Sequence, residues 1–197
     1  TIATHPKVNS DSEFVGKALE GYTIQIVDEN DNQLPNNRVG QIRIKSKCSI
    51  NHYLDDKEKT EQTFRNGYIY PGDLGLLDEF GQLYFKGRED GMMLFNGINI
   101  YPLEIEKCLL SHPNINDTAT ASIKHEIHGD LPIALVELSD PTVNTSEKEL
   151  QNFTSNKLGS YYVHQFIIVK ALPRNERGKL SKEDLTKLVT HIFSKNK

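Results

Sequence analysis

Apolar and polar residues alternate over the first part of the chain. Between about residue 14 and Lys86 the alternating runs are YTIQIVDE, QIRIKS, LGLLDE and QLYFKG. A period of two residues is typical of half-buried β-strands, and turn-forming residues such as Asp31-Asn32 separate the runs. The charged segment LDDKEKTEQTF interrupts them and predicts a short polar helix in a surface connection. The pattern therefore predicts a β-rich first part.

After Gly97 the apolar residues follow a helical spacing. Ile105 and Leu109 share one helical face, and Pro102 suits the first turn of that helix. The runs TATASIK and PIALVEL predict two strands, and a Ser146-x-x-Glu149 capping box predicts the start of a second helix. A strand QFIIVKAL and a last helix from about Ser181 complete the pattern. The apolar face of that last helix consists of Leu185, Leu188, Val189 and Ile192.

These elements predict an α+β fold class, with a β-rich part followed by a small α/β domain. Residues 1–13 are polar and aperiodic, and we expect a tail or the end of a connection there. The two parts join near Glu89-Asp90-Gly91. Because Gly91 has access to backbone angles that other residues avoid, this segment could absorb a rotation between domains, although an ordinary turn is the alternative.

Composition narrows the class of protein. The 197 residues carry a formal net charge of -4, which gives no field that would attract nucleic acid. Cys48 and Cys108 match no metal or redox spacing and indicate free thiols in a reducing compartment, so we expect a cytoplasmic protein. No apolar run approaches the roughly 20 residues of a membrane span. The first residue is Thr1, which suggests a piece of a longer polypeptide.

Three separated motifs indicate a family. The segments are FRNGYIYPGDLG (64–75), GREDGMMLFNGINIYPLEIE (87–106) and LPRNERGKL (172–180). They resemble FRDGWFRTGDLG, GRxDxxIKxxGxxIxPxEIE and LPRTxxGKxxR of the adenylate-forming superfamily, in the same order. That superfamily includes acyl-CoA and aryl-CoA synthetases, luciferases and adenylation domains of peptide synthetases. The resemblance covers about residues 14–197 and implies that 1–89 end the N-terminal AMP-binding domain, whereas 90–197 form a mobile C-terminal lid.

The resemblance implies a two-step reaction. Such enzymes join a carboxylate to the α-phosphate of ATP, release pyrophosphate, and then pass the acyl group from AMP to a thiol. Lys179 matches the catalytic lysine, and a cation there would stabilise the charge that develops between two anions. Asp73 and Arg88 match the residues that contact the ribose of the nucleotide. The alternatives are a solvated lysine, a turn aspartate and a surface pair of Arg88 with Glu89 or Asp90.

Further positions follow from the same resemblance. Asp90, with Gly91, matches the hinge of the lid, and Gly97 matches a glycine beside the tunnel for the thiol, although a simple turn also explains Gly97. The sequence IYPLEIE is more similar to fatty-acyl and aryl-CoA synthetases than to peptide-synthetase domains, which favours CoA as acceptor. An acyl carrier protein is the alternative acceptor. We expect Mg²⁺ to arrive with the ATP phosphates, and no metal site in the chain, since His125 and His128 suit a solvated loop.

Three departures and one absence limit the resemblance. Tyr70-Pro71 replaces Arg-Thr, Leu94 replaces a lysine that supports the second step in some branches, and His164 replaces a proline. The phosphate loop and the acyl pocket of the family lie upstream of Thr1. We therefore expect the 197-residue polypeptide alone to be inactive. A non-catalytic module that binds a nucleotide or a partner protein is the alternative function.

Overall fold

The computed structural model describes residues 3–4, 13–159 and 162–195. The chain divides into two compact units, Thr1–Asp90 and Gly91–Lys197, which we call unit 1 and unit 2. The tail expected at residues 1–13 lies largely outside the described residues, although Ala3–Thr4 form a short strand.

Unit 1 is a sheet with one short helix. Its described strands are β1 (Ala3–Thr4), β2 (Phe14–Ala18), β3 (Tyr22–Val27), β4 (Gly40–Ser46), β5 (Phe64–Arg65), β6 (Tyr68–Ile69), β7 (Asp73–Leu77) and β8 (Gln82–Arg88). Helix α1 (Lys57–Thr63) lies between β4 and β5. The strand order is β1-β2-β8-β7-β4-β6-β5, and β3 pairs with β4. All these pairings are antiparallel, so one face of each strand can reach a core while the other stays polar.

The alternation in the sequence creates the core of unit 1. Ile24 pairs with Ile44 and Ile26 with Ile42 across β3 and β4, and all four side chains are buried in one cluster. Helix α1 buries no residue, and its first turn is capped by Asp56, whose side chain accepts a hydrogen bond from the Lys59 amide at 2.9 Å. The predicted strands and the polar connecting helix are therefore confirmed.

Unit 2 is an α/β sandwich. Its elements are β9 (Met93–Phe95), β10 (Ile98–Ile100), α2 (Pro102–Leu110), β11 (Ile115–His125), β12 (Gly129–Leu138), α3 (Glu147–Leu158), β13 (Gln165–Val169) and α4 (Lys182–Lys195). The sheet runs β10-β9-β12-β11, and β13 adds a strand parallel to β12. The core is formed by buried apolar residues of both layers, among them Ile105, Leu109, Ile133, Leu135, Leu150, Leu185 and Val189.

The helices of unit 2 begin where the sequence predicts. Pro102 is the first residue of α2, and the Ser146 hydroxyl accepts a hydrogen bond from the Glu149 amide at 3.2 Å at the start of α3. The reciprocal half of that capping box is replaced, because the Glu149 carboxylate lies 3.5 Å from Nε2 of His112. The predicted α+β class is confirmed, while the β9–β10 hairpin was not predicted. None of the helices in the described ranges has the length and apolar content that a bilayer-spanning segment requires.

Candidate functional site

Asp73 and Arg88 lie opposite each other in the sheet of unit 1. They are directly paired in the register of β7 and β8. Nη1 of Arg88 donates to Oδ1 of Asp73 at 3.0 Å and to the carbonyl oxygen of Pro71 at 2.6 Å. The Asp73 side chain is 29% exposed, and among the described residues nothing donates to its Oδ2. That oxygen can therefore accept a hydrogen bond from a ligand hydroxyl.

Gly72 brings the turn before β7 close to Arg88. Its φ is +75°, in the left-handed region that favours glycine, and a Cβ added there would lie 3.0 Å from Nη2 of Arg88. The Gly72 carbonyl oxygen also accepts a hydrogen bond from the Glu89 amide at 2.9 Å. Backbone hydrogen bonds and the guanidinium group thus fix the position of Asp73 from both sides.

The segment predicted as the hinge has a regular backbone in this structure. Glu89–Gly91 form a single 3-10 turn, and Gly91 does not have a positive φ. In this conformation the segment forms an ordinary turn, and its capacity to absorb a rotation between domains stays a prediction. Nε of Arg88 lies 3.6 Å from the exposed Asp90 carboxylate, so the surface pair considered as an alternative exists beside the Asp73 contact. A pair exposed to this degree contributes little stability.

Gly97 lies at the tip of the β9–β10 hairpin. Phe95 pairs with Ile98, and the two residues between them, Asn96 and Gly97, have φ values of 51° and +77°. Positive φ at both positions is typical of a type I′ turn, for which Asn-Gly is a favoured sequence. A Cβ added to Gly97 would meet nothing within 4 Å. The turn alone explains this glycine, and the space beside it is open.

Asp130 anchors the hairpin to β12. Its Oδ2 accepts a hydrogen bond from the Leu94 amide at 3.1 Å, and its Oδ1 lies 2.8 Å from the Lys124 ammonium. Burial raises the pKa of Asp130, but the hydrogen bonds from Lys124 and Leu94 outweigh it and hold the pKa below its usual range. Leu94, where some relatives of the motif carry lysine, is itself exposed.

Three histidines surround the same hairpin. The rings of His125 and His128 stack at 4.7 Å, and Nδ1 of His128 lies 2.7 Å from Oδ1 of Asn96. Burial, followed by the charges of His128 and His125, lowers the pKa of His164. The expected solvated loop is therefore exposed but ordered against the hairpin. Within the described ranges, no group of three or more His, Cys, Asp or Glu side chains is arranged to hold a metal ion.

Tyr70 replaces an arginine of the motif and has a structural environment. It is 6% exposed, its hydroxyl donates to Oδ1 of Asp31 at 2.8 Å, and the Arg65 guanidinium lies 3.9 Å from its ring centroid. A polar aromatic residue suits this position because the ring packs against a cation while the hydroxyl keeps a partner. These contacts could not be predicted from the sequence.

Lys179 belongs to a tight loop between β13 and α4. Arg174 and Leu180 form an isolated antiparallel bridge, and Gly178 has a φ of +74°. We call residues 174–180 the lysine loop. Lys179 itself is exposed, and its ammonium group has no hydrogen bond or ion pair with the part of the chain that the structure describes. The fold therefore presents an unpaired cation on an ordered backbone.

Comparison with known proteins identifies a domain in this chain. Residues 104–179 match the model of the AMP-binding enzyme C-terminal domain. The chain is 32% identical over 173 residues to 4-coumarate–CoA ligase 1 of Glycine max, a match that covers 86% of this chain and 59% of that protein.

Two solved structures share the fold. ATP-bound MatB from Rhodopseudomonas palustris aligns with a TM-score of 0.82 at 29% identity, over 92% of this chain and 36% of that chain. The o-succinylbenzoate CoA synthetase (MenE) from Bacillus subtilis, in complex with the acyl-adenylate intermediate OSB-AMP, aligns with a TM-score of 0.80 at 30% identity. That match covers 89% of this chain and 36% of the synthetase chain.

The chain belongs to the superfamily of adenylate-forming enzymes, as its motifs predict, and corresponds to the C-terminal portion of such enzymes. Residues 104–179 are its AMP-binding enzyme C-terminal domain. The chain spans 59% of the soybean ligase and 36% of each of the two solved chains.

Proposed function

We propose that this chain works as the C-terminal part of an ATP-dependent, AMP-forming acid–thiol ligase. The enzyme adenylates a carboxylic acid and then transfers the acyl group to CoA. The observation that carries the proposal is the unpaired, exposed ammonium of Lys179 at a fixed position of the lysine loop. Its place in the motif LPRNERGKL, on a loop whose backbone is held by hydrogen bonds, distinguishes Lys179 from an exposed lysine such as Lys170.

Lys179 supplies positive charge to the first step. When a carboxylate attacks the α-phosphate of ATP, negative charge concentrates between the two groups, and a cation that needs no reorganisation lowers the barrier. Lys179 also has no ion pair with any described residue that would have to break before it binds such a group. Magnesium would accompany the ATP phosphates rather than occupy a site built by the described residues.

Asp73 and Arg88 hold the nucleotide in this proposal. The free Oδ2 of Asp73 accepts a hydrogen bond from a ribose hydroxyl, while Oδ1 stays with Arg88. Asp73 lies in unit 1 and Lys179 in unit 2. A reaction that uses both groups depends on the segment around Asp90 and Gly91, to which we assign the hinge between the end of the N-terminal domain and the lid.

The second step concerns the acceptor. The open space beside Gly97 suits the approach of a thiol on a flexible arm, and the names of the soybean and Bacillus relatives specify CoA. We therefore propose CoA as acceptor, with an acyl carrier protein as the alternative. Leu94 carries no charge and so cannot support this step as the lysine at this position does in some branches of the family.

A chimera tests the proposal. In it, this chain replaces the matching part of MenE from Bacillus subtilis, so that the acid is o-succinylbenzoate. Exchange of labelled pyrophosphate into ATP measures adenylation, and transfer from preformed acyl-adenylate to CoA measures the second step. We expect Lys179→Ala to lower exchange by about 100-fold or more and to leave transfer within about twofold.

The control is Lys170→Ala, which removes an exposed lysine outside the lysine loop and should change neither step. An equal loss in both steps on replacement of Lys179 would mean that this lysine is structural. The 197-residue chain by itself should show no exchange, and exchange by the isolated chain would contradict the assignment of the chain as one part of the enzyme.

A further inference from the structure

Asn175 makes four hydrogen bonds with the segment that carries Lys179. Its Oδ1 accepts from the amides of Arg177 at 3.0 Å and Lys179 at 3.1 Å. The backbone amide of Asn175 donates to the Lys179 carbonyl oxygen at 2.8 Å, and the backbone carbonyl oxygen of Asn175 accepts from the Gly178 amide at 2.8 Å. Backbone amides in a turn often lack an acceptor in the protein and bond to water. Here the side-chain oxygen of Asn175 accepts from two of them instead.

Arg174 fixes the lysine loop from outside. Its Nη1 donates to the Gly178 carbonyl oxygen at 2.7 Å, and its Nη2 forms an ion pair with Oδ2 of Asp117 on β11. The loop is thereby attached to a strand 57 positions earlier in the sequence. The chain also reaches the core at both ends of the loop. Leu172, two residues before the loop, is buried, and Leu180, its last residue, packs against the same cluster.

These contacts act on the backbone of Lys179 and not on its ammonium group. Both the amide and the carbonyl oxygen of Lys179 are bonded to Asn175, and the preceding carbonyl oxygen is bonded to Arg174. No described residue makes a hydrogen bond or ion pair with the rest of the Lys179 side chain. A held backbone and an unbonded ammonium group suit a lysine that binds a ligand. The conformational entropy of the backbone is then lost before the ligand binds.

We propose that Asn175 is a positioning residue for adenylation, which holds the backbone of Lys179 in the orientation that the first step requires. This inference rests on the proposed function of Lys179. It predicts that loss of the Oδ1 acceptor leaves the lysine present and charged but makes its productive position rare. A loop that samples several conformations would slow adenylation by about tenfold, because the backbone order that Asn175 supplies would have to be gained during each turnover.

The first test uses the 197-residue chain and no activity. Asn175→Leu has nearly the same shape as asparagine but no acceptor, whereas Asn175→Asp keeps an acceptor oxygen in place of Oδ1. We expect amide hydrogen exchange of Arg177 and Lys179 to accelerate at least tenfold in the Leu variant and to return towards the original rate in the Asp variant. Core amides such as Ile133 should not change. Asn152→Leu, on the exposed side of α3, is the matched control.

The second test measures the MenE chimera. Asn175→Leu should lower the kcat of pyrophosphate exchange by about tenfold, with little change in the KM for ATP, and should leave transfer to CoA unchanged. Asn175→Asp should restore exchange. A role in folding alone would not separate the two steps and would lower both with the amount of folded protein.

The outcomes separate the two ideas. If the amides of Arg177 and Lys179 exchange equally fast in the original chain and the Leu variant, Asn175 does not order the loop and the inference is wrong. A second outcome is that amide hydrogen exchange accelerates in the Asn175→Leu variant but adenylation does not fall, while Lys179→Ala abolishes adenylation. The positioning role is then wrong and the proposed function stands. If Lys179→Ala leaves adenylation intact, the proposed function fails and the inference fails with it.

Discussion

The replacement Glu106→Gln should make unit 2 more stable, and increasingly so as the pH rises. Glu106 lies on α2, and its Oε1 accepts a hydrogen bond from the Thr120 amide on β11 at 2.8 Å. Burial is the main cause that raises the pKa of Glu106, from an ordinary 4.5 to about 7. The hydrogen bond from Thr120 and the charge of Lys182 oppose this effect, while the charge of Asp117 adds to it.

The sign follows from proton binding. Between about pH 4.5 and 7 the folded protein keeps the proton on Glu106, whereas the unfolded chain has released it. The free energy of unfolding therefore falls as the pH rises through this range, and levels off above about pH 7. The difference between about 7 and 4.5 is about 2.5, which corresponds to about 3 kcal/mol at about 1.4 kcal/mol for each pKa unit.

Glutamine at position 106 removes the loss of stability that comes from the titration of Glu106. Its carbonyl oxygen still accepts the hydrogen bond from Thr120, but it carries no proton to lose. We expect the two proteins to differ little near pH 4.5 and the variant to be more stable by about 3 kcal/mol at pH 8. Because other groups titrate equally in both proteins, the difference between them reports Glu106 alone.

The assay is denaturant unfolding of the 197-residue chain between pH 4.5 and 8. The chain has no tryptophan, so we would follow helical circular dichroism, which comes mainly from α2, α3 and α4 in unit 2. Glu147→Gln, which replaces an exposed glutamate at the start of α3, is the control and should give a small difference that hardly varies with pH. A difference for Glu106→Gln that stays constant from pH 4.5 to 8 would refute the reasoning.

Two further replacements test the hairpin that carries Gly97. Gly97→Ala should destabilise unit 2 by about 1 kcal/mol in denaturant unfolding through the positive φ alone, since its Cβ meets no atom within 4 Å. In the MenE chimera, Gly97→Ala should slow transfer to CoA more than adenylation. An equal reduction of the two steps would contradict a role of Gly97 beside the thiol. Asp130→Ala should cost about 2 kcal/mol, because the Leu94 amide loses its acceptor. Amide exchange of Leu94 should accelerate, and an unchanged rate would show that Asp130 does not anchor the hairpin.

Four strands of unit 1 (β3, β4, β7 and β8) and the helices of unit 2 could be predicted because burial imposes a period on the sequence. Ile24, Ile26, Ile42 and Ile44 alternate with polar residues because their side chains share one face of β3 and β4 and pack into one buried cluster. The β9–β10 hairpin has strands of three residues, too short for a period to emerge. Its Asn96-Gly97 dipeptide was the available signal, because this pair favours the positive φ values of a type I′ turn.

The side-chain contacts around the candidate site could not be predicted in the same way. The motifs point to Asp73, Arg88 and Lys179 but contain no information on partners. Arg174 and Asp117 lie 57 positions apart and meet only because β11 and the lysine loop adjoin in the folded unit. Asn175 occupies a position where the motif has threonine, so its pair of accepted hydrogen bonds becomes visible only with the loop backbone in place.

The local support of the two functional groups bears on how an enzyme of this kind can use a hinge. Asp73 is fixed by Arg88 and by the turn at Gly72, all within unit 1, and Lys179 is fixed by Asn175 and Arg174, both within unit 2. Neither group needs the other unit to hold its position. In the proposed mechanism, a rotation about the segment 89–91 would therefore carry Lys179 to or from the nucleotide without rebuilding either site. The energetic cost of the motion would then fall on the hinge, and not on the groups to which the chemistry is assigned.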